Sequence, residues 1–125
     1  MNAIFPTPLF RKQGGIIINT ETLDVVCWPF RKFANYGESY ADPIDWTSAR
    51  VQEKIDGSIT KLWFDHDADK WRWSTNSMID AADAHIMDSN VSFMSLIRRA
   101  DNYSSIPFDK LDKNKTYIFL KQLLN

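Results

Sequence analysis

The 125-residue chain has one cysteine, Cys27, and no excess of charge of either sign: 15 Lys+Arg stand against 16 Asp+Glu, a formal charge of −1. One cysteine cannot close an internal disulfide or build a cysteine-rich metal site, and a reducing compartment, the cytoplasm, is the expectation that follows. The near-zero charge removes the global basic excess with which many nucleic-acid binders track phosphates, so a polyanion has to be met by a local patch. No run of about 18 apolar residues is present to span a membrane. The opening MNAIFPTPLF has prolines in place of a charged segment followed by an apolar one, which argues against a secretory leader. There is no internal repeat and no low-complexity tract.

What the chain does have is apolar bulk. With 44% hydrophobic and 25% charged residues it reads as one soluble globular domain or a piece of one. Eight Phe, five Trp and four Tyr supply large bodies for a core, and a chain of this length folding alone should bury roughly two-thirds of its unfolded surface.

Two β-branched runs, residues 16–19 (IIIN) and 23–28 (LDVVCW), are separated by Thr20-Glu21-Thr22 and predict a hairpin. Gly14-Gly15 marks the loop before it, and Pro29 ends the second strand because it has no backbone donor. Residues 30–40 are rich in aromatic and basic side chains and run into Ala41-Asp42-Pro43, which reads as an ordered loop. Residues 50–64 form the strongest strand region: residues 49–54 alternate, Asp56-Gly57 turns, and Ile59, Leu62, Trp63 and Phe64 resume apolar character. Lys70-Trp71-Arg72-Trp73-Ser74 alternates charge with tryptophan and should pair antiparallel with it. Residues 79–99 carry helical stripes, Ile79, Ala82 and Ile86, then Phe93, Leu96, Ile97 and Ala100, with a break and new N-cap at Ser89-Asn90. Residues 102–114 are turn-like and residues 115–120 a last strand. Strands, then helices, then a strand, without regular alternation, indicate an α+β fold built on antiparallel sheet.

One segment carries chemistry. Gln52-Glu53-Lys54-Ile55-Asp56-Gly57-Ser58 sets a lysine at the expected end of a strand, just before an Asp-Gly turn. Strand hydrogen bonds would fix the backbone ahead of Lys54, and Gly57, without a side chain, lets a phosphate approach the chain closely. A lysine amine attacks only when neutral, so a nucleophilic Lys54 requires a pKa below the usual value of about 10.4. Taken alone, Lys-x-Asp-Gly equally describes a solvated lysine before a hairpin.

Four blocks in order change that reading. Gly15-Ile16-Ile17-Ile18 comes first, followed by Pro29-Phe30-Arg31-Lys32-Phe33-Ala34-Asn35-Tyr36-Gly37-Glu38. Glu53-Lys54-Ile55-Asp56-Gly57-Ser58 and Trp73-Ser74-Thr75-Asn76-Ser77-Met78 complete the series. Together they resemble the bacteriophage-type ATP-dependent RNA ligases, a branch of the covalent nucleotidyltransferases. The resemblance covers about residues 14–119 and implies an antiparallel-sheet nucleotidyltransferase domain, ATP-grasp-like, over residues 1–125. It implies that Lys54 attacks the α-phosphate of ATP with Mg2+ and carries AMP as a phosphoramidate. AMP then passes to an RNA 5′-phosphate, and an RNA 3′-hydroxyl displaces it. Lys32 matches the phosphate-contacting lysine and Glu53 an adenine-contacting position; Phe33, with Phe30 and Tyr36, is a candidate for adenine stacking, and Asp56 and Gly57 lie beside the nucleophile. Each has a plainer rival: a surface lysine, loop-anchoring aromatics, and a carboxylate capping its own turn.

Other polar clusters read as structural. Asp65, His66 and Asp67 suggest a metal but fit a solvated hairpin tip better, and Asp80, Asp83, His85 and Asp88 form the wet face of a helix. No residue is assigned as a metal ligand. Arg98-Arg99, Lys110, Lys113 and Lys115 are candidate RNA phosphate contacts, with a solvated surface as the favoured alternative.

The chain also departs from the family pattern. Gly14-Gly15 stands where Arg-Gly is common, leaving Arg11 or Lys12 as candidate substitutes, Ala34 replaces the second aromatic of its block, and Asn76 and Ser77 stand where a basic residue and a glycine are frequent. After Tyr117-Ile118-Phe119 the expected Phe-Glu motif is absent, as are later Glu-Gly and Lys-x-Lys motifs. A complete nucleotidyltransferase domain needs roughly 200 residues. The expectation is therefore a C-terminally truncated ligase domain whose second half is missing or separately encoded and would be a partner. A DNA ligase or capping-type guanylyltransferase is disfavoured by Lys32-Phe33-x-Asn35. The alternative from another class is a catalytically inactive, ligase-derived fragment that binds nucleotide, RNA or a partner chain.

Overall fold

The computed structural model describes residues 4–6, 15–31, 33–81, 91–100 and 102–121. Among these, strands β1 (Ile4–Pro6), β2 (Ile17–Asn19) and β3 (Val25–Cys27) form one antiparallel sheet in the order β1-β2-β3. Strands β4 (Ser58–Asp65), β5 (Lys70–Ser74) and β6 (Tyr117–Lys121) form a second, in the order β5-β4-β6, both pairings antiparallel. A short helix α1 (Phe93–Arg98) and two 3-10 turns, Tyr103–Ser105 and Phe108–Lys110, lie between β5 and β6 in sequence. The chain is a small mixed α/β domain with antiparallel sheets, as its pattern predicts.

The central strand explains the layering. Side chains alternate across a strand, and every residue of β4 from Thr60 to Asp65 is buried, so both faces of β4 are covered. On one face Leu62 and Trp73 pack with Ala81 and Ile97, and Trp71, Tyr117, Phe119, Phe93, Met94 and Tyr103 close around them. On the other, Trp63 packs against Ile17 and Cys27 of the first sheet. The second sheet is thus a middle layer between the first sheet and the α1 layer.

The predicted β2–β3 hairpin is present, and its turn is built by Asn19. The Asn19 Oδ1 accepts from the backbone N–H groups of Glu21 at 2.9 Å and Thr22 at 3.2 Å. Its Nδ2 donates to Asp67 Oδ2 at 2.9 Å, tying this turn to the β4–β5 loop. The β4–β5 hairpin also forms where alternation placed it, with Leu62 opposite Trp73 and Phe64 opposite Trp71.

Two expectations need correction. Residues 49–54, read as the first half of a long strand, belong to no regular element; β4 starts only at Ser58. Val51, the central apolar residue of that alternation, is fully exposed, and β4 meets its neighbours only from Ser58 onward, so residues 49–54 have neither a face to bury nor a ladder to join. Of the helical reading of residues 79–99, the described part after residue 90 forms α1, while residues 82–90 lie outside the described residues. The N-cap of α1 is Ser92, whose side chain accepts from the Ser95 N–H, rather than Ser89-Asn90. Ser89 and Asn90 lie outside the described residues, as do Ala82 and Ile86. A serine cap fits because its short hydroxyl satisfies one of the N–H groups left open at a helix start.

Candidate active site

Among the described residues of the 28–57 segment there are turns but no helix or strand. The segment is ordered locally. Asn35 N–H donates to Glu38 Oε2 at 2.6 Å, while the Glu38 and Ala41 N–H groups close successive turns. Asp45 accepts from the Ser48 hydroxyl at 2.6 Å and from the Thr47 hydroxyl and N–H, and these bonds hold its carboxyl down at about 2. The aromatic rings of the segment face water: Phe33 is 78% exposed, Tyr36 82% and Trp46 71%. Phe30 and Phe33 approach at 6.0 Å between ring centroids, and Tyr36 meets Trp46 edge-on at 6.1 Å.

Lys54 lies at the end of this segment, four residues before β4. Its Nζ donates to Asp56 Oδ1 at 2.7 Å, with the two side chains 88% and 89% exposed. The hydrogen bond and charge of Asp56 push the Lys54 ammonium above its ordinary range and hold the Asp56 carboxyl below its own. The expectation of a strand-anchored lysine is corrected here: residues 49–53 before Lys54 are exposed and belong to no strand, without ladder bonds. In this geometry Lys54 is a protonated, solvent-facing amine. Partial burial, which would favour the neutral nucleophile, is absent.

The remaining predicted site residues are only partly brought together. Lys32 lies outside the described residues, as do Arg11 and Lys12. Asp56 and Gly57 adjoin Lys54 by sequence, Gly57 forming a bend into β4. Glu53 is exposed, and among the described residues no hydrogen bond or ring contact joins Phe33 or Glu53 to Lys54.

The polar clusters outside this segment have structural partners. Arg72 donates from Nε to Asp65 at 2.6 Å and from Nη1 to Asp80 at 2.5 Å. Asp80 is therefore half-buried in an ion pair instead of lying on a wet helix face. Burial alone would raise the Asp65 carboxyl, but Arg72 and the Ala68 and Asp67 N–H groups outweigh it and hold the group low. His66 meets the Phe64 ring edge-on at 5.0 Å, and among the described residues no group of three or more His, Cys, Asp or Glu could hold a metal. Lys113 stacks over the Phe64 ring at 4.3 Å and lies 3.9 Å from Asp69, and Lys115 lies 3.9 Å from Asp112.

One charged residue escapes sequence reasoning. Lys61, in the middle of β4, is only 1% exposed, and its Nζ donates to Asn76 Oδ1 at 3.0 Å. Desolvation by burial lowers its pKa. Burial in turn raises the Cys27 thiol, which lies 3.7 Å from the Ser74 hydroxyl. A lysine directly before the apolar run Leu62-Trp63-Phe64 of the central strand is the signal that could have found it.

Comparison with family models, with curated proteins and with solved structures finds no match. Among the described residues no helix is long and apolar enough to cross a membrane.

Proposed function

We propose that this chain carries the nucleophile-bearing part of a bacteriophage-type RNA ligase adenylylation domain, a covalent nucleotidyltransferase acting in the cytoplasm. Its substrates are ATP and RNA ends bearing a 5′-phosphate and a 3′-hydroxyl. The observation that carries the reading is the Lys54-Ile55-Asp56-Gly57-Ser58 segment, which sets an exposed amine in contact with an exposed carboxylate directly ahead of the central strand. The order of the three other matching blocks supports it.

In the proposed reaction the neutral Lys54 amine attacks the α-phosphorus of ATP. A nitrogen–phosphorus bond forms, the bond to pyrophosphate breaks, and the amine gives up a proton. AMP then passes from Lys54 to the RNA 5′-phosphate, and the RNA 3′-hydroxyl displaces it to leave a phosphodiester. Asp56 currently holds the proton on Lys54, so it must be drawn away before the attack. Exposed, Asp56 would be the residue to hold Mg2+ that arrives with its phosphates and few protein ligands. Bound there, Mg2+ would offset charge on the phosphates. Phe33 provides an accessible ring for adenine, and Gly57 leaves room for phosphate against the backbone.

Intact-mass measurement of the full chain after incubation with ATP and Mg2+ tests the proposal. The expected result is a mass increase of one AMP that is lost in Lys54→Ala. A folded chain that gains no mass would overturn it.

A second reading, a noncovalent nucleotide- or RNA-binding module derived from such a ligase, is favoured by one observation: Asp56 raises the Lys54 pKa where catalysis needs it lowered. It expects no adduct and ATP or RNA binding that survives Lys54→Ala.

A further inference from the structure

A ring left in water forgoes one of the largest stabilising contributions a side chain can make, so a group of exposed rings calls for a reason. Among the described residues these side chains divide by position. The Phe, Tyr and Trp side chains from residue 63 onward are buried or half-buried, whereas the exposed ones, Trp28, Phe30, Phe33, Tyr36, Tyr40 and Trp46, fall within residues 28–46.

Two of the exposed rings stand on matching turns. Tyr36 takes the second position of the turn Asn35–Glu38, closed by the Glu38 N–H on the Asn35 carbonyl at 3.1 Å. Trp46 takes the second position of Asp45–Ser48, closed by the Ser48 N–H on the Asp45 carbonyl at 3.2 Å. Gly37, after Tyr36, holds φ at +86°, a conformation that side chains disfavour, yet a Cβ there would meet no atom within 4 Å. The glycine is thus required by the turn and not by crowding, and its Cβ side is open space. Each turn also draws a carboxylate onto its own donors: Glu38 accepts from the Asn35 N–H, and both Asp45 oxygens accept from Thr47 and Ser48. On these fixed supports the two rings meet edge-on while most of each remains in water.

The arginines of the segment are in a different condition from its carboxylates. Arg31, beside Phe30, and Arg50, two positions after the second turn, are exposed, and among the described residues neither has an ion-pair partner. Accessible rings with unpaired guanidinium groups in the same segment meet the two needs of an unpaired nucleic-acid strand, a π-face for each base and a cation for its phosphates. A duplex keeps its base faces in its own stack. Asp42 and Glu53 are exposed as well, so ionic attraction is modest and stacking has to carry the contact.

We propose that the turns Asn35–Glu38 and Asp45–Ser48 form a stacking surface for unpaired RNA, with bases on Tyr36 and Trp46 and phosphates at Arg31 and Arg50. The inference rests on the ligase reading above for its choice of RNA. It moves Tyr36 from the adenine candidates to the RNA strand, leaves Phe33 to adenine, and adds Trp46 and Arg50, which the four sequence blocks do not contain.

Fluorescence anisotropy of a labelled oligoadenylate of about ten nucleotides, titrated with the full chain in the absence of ATP, tests it. The single strand should bind about tenfold or more tightly than the same strand paired with oligouridylate. Tyr36→Ala and Trp46→Ala should each weaken single-strand binding about tenfold, the loss expected for one stacked base, and Trp46→Phe, which retains a ring, should keep most of the affinity. Arg31→Gln and Arg50→Gln should each lower the slope of log affinity against log salt by about 0.7. No binding by the unsubstituted chain, equal binding of the duplex, or unchanged affinity in both alanine variants overturns the inference. So does a loss in Trp46→Phe as large as in Trp46→Ala, which would place the effect in the turn, or a salt slope that neither arginine substitution moves. Self-association in sedimentation that the alanine substitutions abolish, with RNA binding unmoved, would assign the rings to a protein contact and overturn it too. Ring-dependent RNA binding by a chain that forms no Lys54 adduct would leave this inference standing and remove the ligase reading. An adduct on a chain whose RNA binding ignores both rings would do the reverse.

Discussion

Leu23 shows how a single residue can carry strain in the service of a turn. Its φ of 63° lies in the left-handed region, and its N–H donates to the Asn19 carbonyl at 2.8 Å to close the β2–β3 connection. The side chain is exposed, so it gains little from packing in return for a conformation costing about 1–2 kcal/mol. Leu23→Gly should therefore stabilise the chain by about 0.5–1 kcal/mol, after the extra freedom glycine gives the unfolded chain is deducted. Urea unfolding checks this, and a loss of stability would mean that Leu23 has an apolar partner. Lys61 and Lys54 make the opposite comparison. One lysine is buried and one exposed, seven positions apart in sequence, and only the burial of their neighbours separates them. Sequence reading singled out Lys54 because its motif is local; the setting of Lys61 includes Asn76, which is distant in the chain.

Among the elements, β4 decides the most. Both of its faces are covered, and the charged residues it buries, Lys61 and Asp65, each have a polar partner. The Asp65 carboxyl is held below its ordinary range in the folded chain and titrates normally in the unfolded one. Its contribution to stability is thus complete above about pH 4, the unfolded value, and is lost as pH falls through the lower folded value. Asp65→Asn should cost about 3 kcal/mol at pH 7 because Arg72 loses a buried partner and retains only Asp80. The deficit should shrink on acidification, which unfolding curves at neutral and acid pH measure; a constant deficit would place the effect in packing. The hairpins on either side of β4 were legible because alternation and turn chemistry are local signals. The strand assigned to residues 49–54 was not: its alternation is real, but a strand also needs a partner and a face to cover, and tertiary structure supplies neither.

At the scale of the whole molecule, the three layers concentrate stability in residues 58–74 with α1 and β6 against them, whereas residues 28–57 are largely exposed, closed by local turns and tied at Trp28 N–H to the Thr116 hydroxyl. Segments with few buried apolar contacts open at low free energy. Limited trypsin digestion should accordingly cut at Arg31, Arg50 or Lys54 before Lys61 or Arg72, with mass spectrometry reading the order. ATP protection of the Lys54 cut, absent with adenosine alone, would link that segment to phosphate binding, whereas early cleavage at Lys61 would contradict the layered core. Composition and local pattern alone determined that the chain packs around aromatic residues, that its sheets are antiparallel, that hairpins join β2 to β3 and β4 to β5, and that Lys54 stands in a chemically suggestive segment. These depend on side-chain size, alternation and turn residues, all read within about ten positions. Tertiary structure alone decided where strands end, which charges are buried, and that Lys61 meets Asn76, because burial and long-range contact arise only when separate segments cover one another.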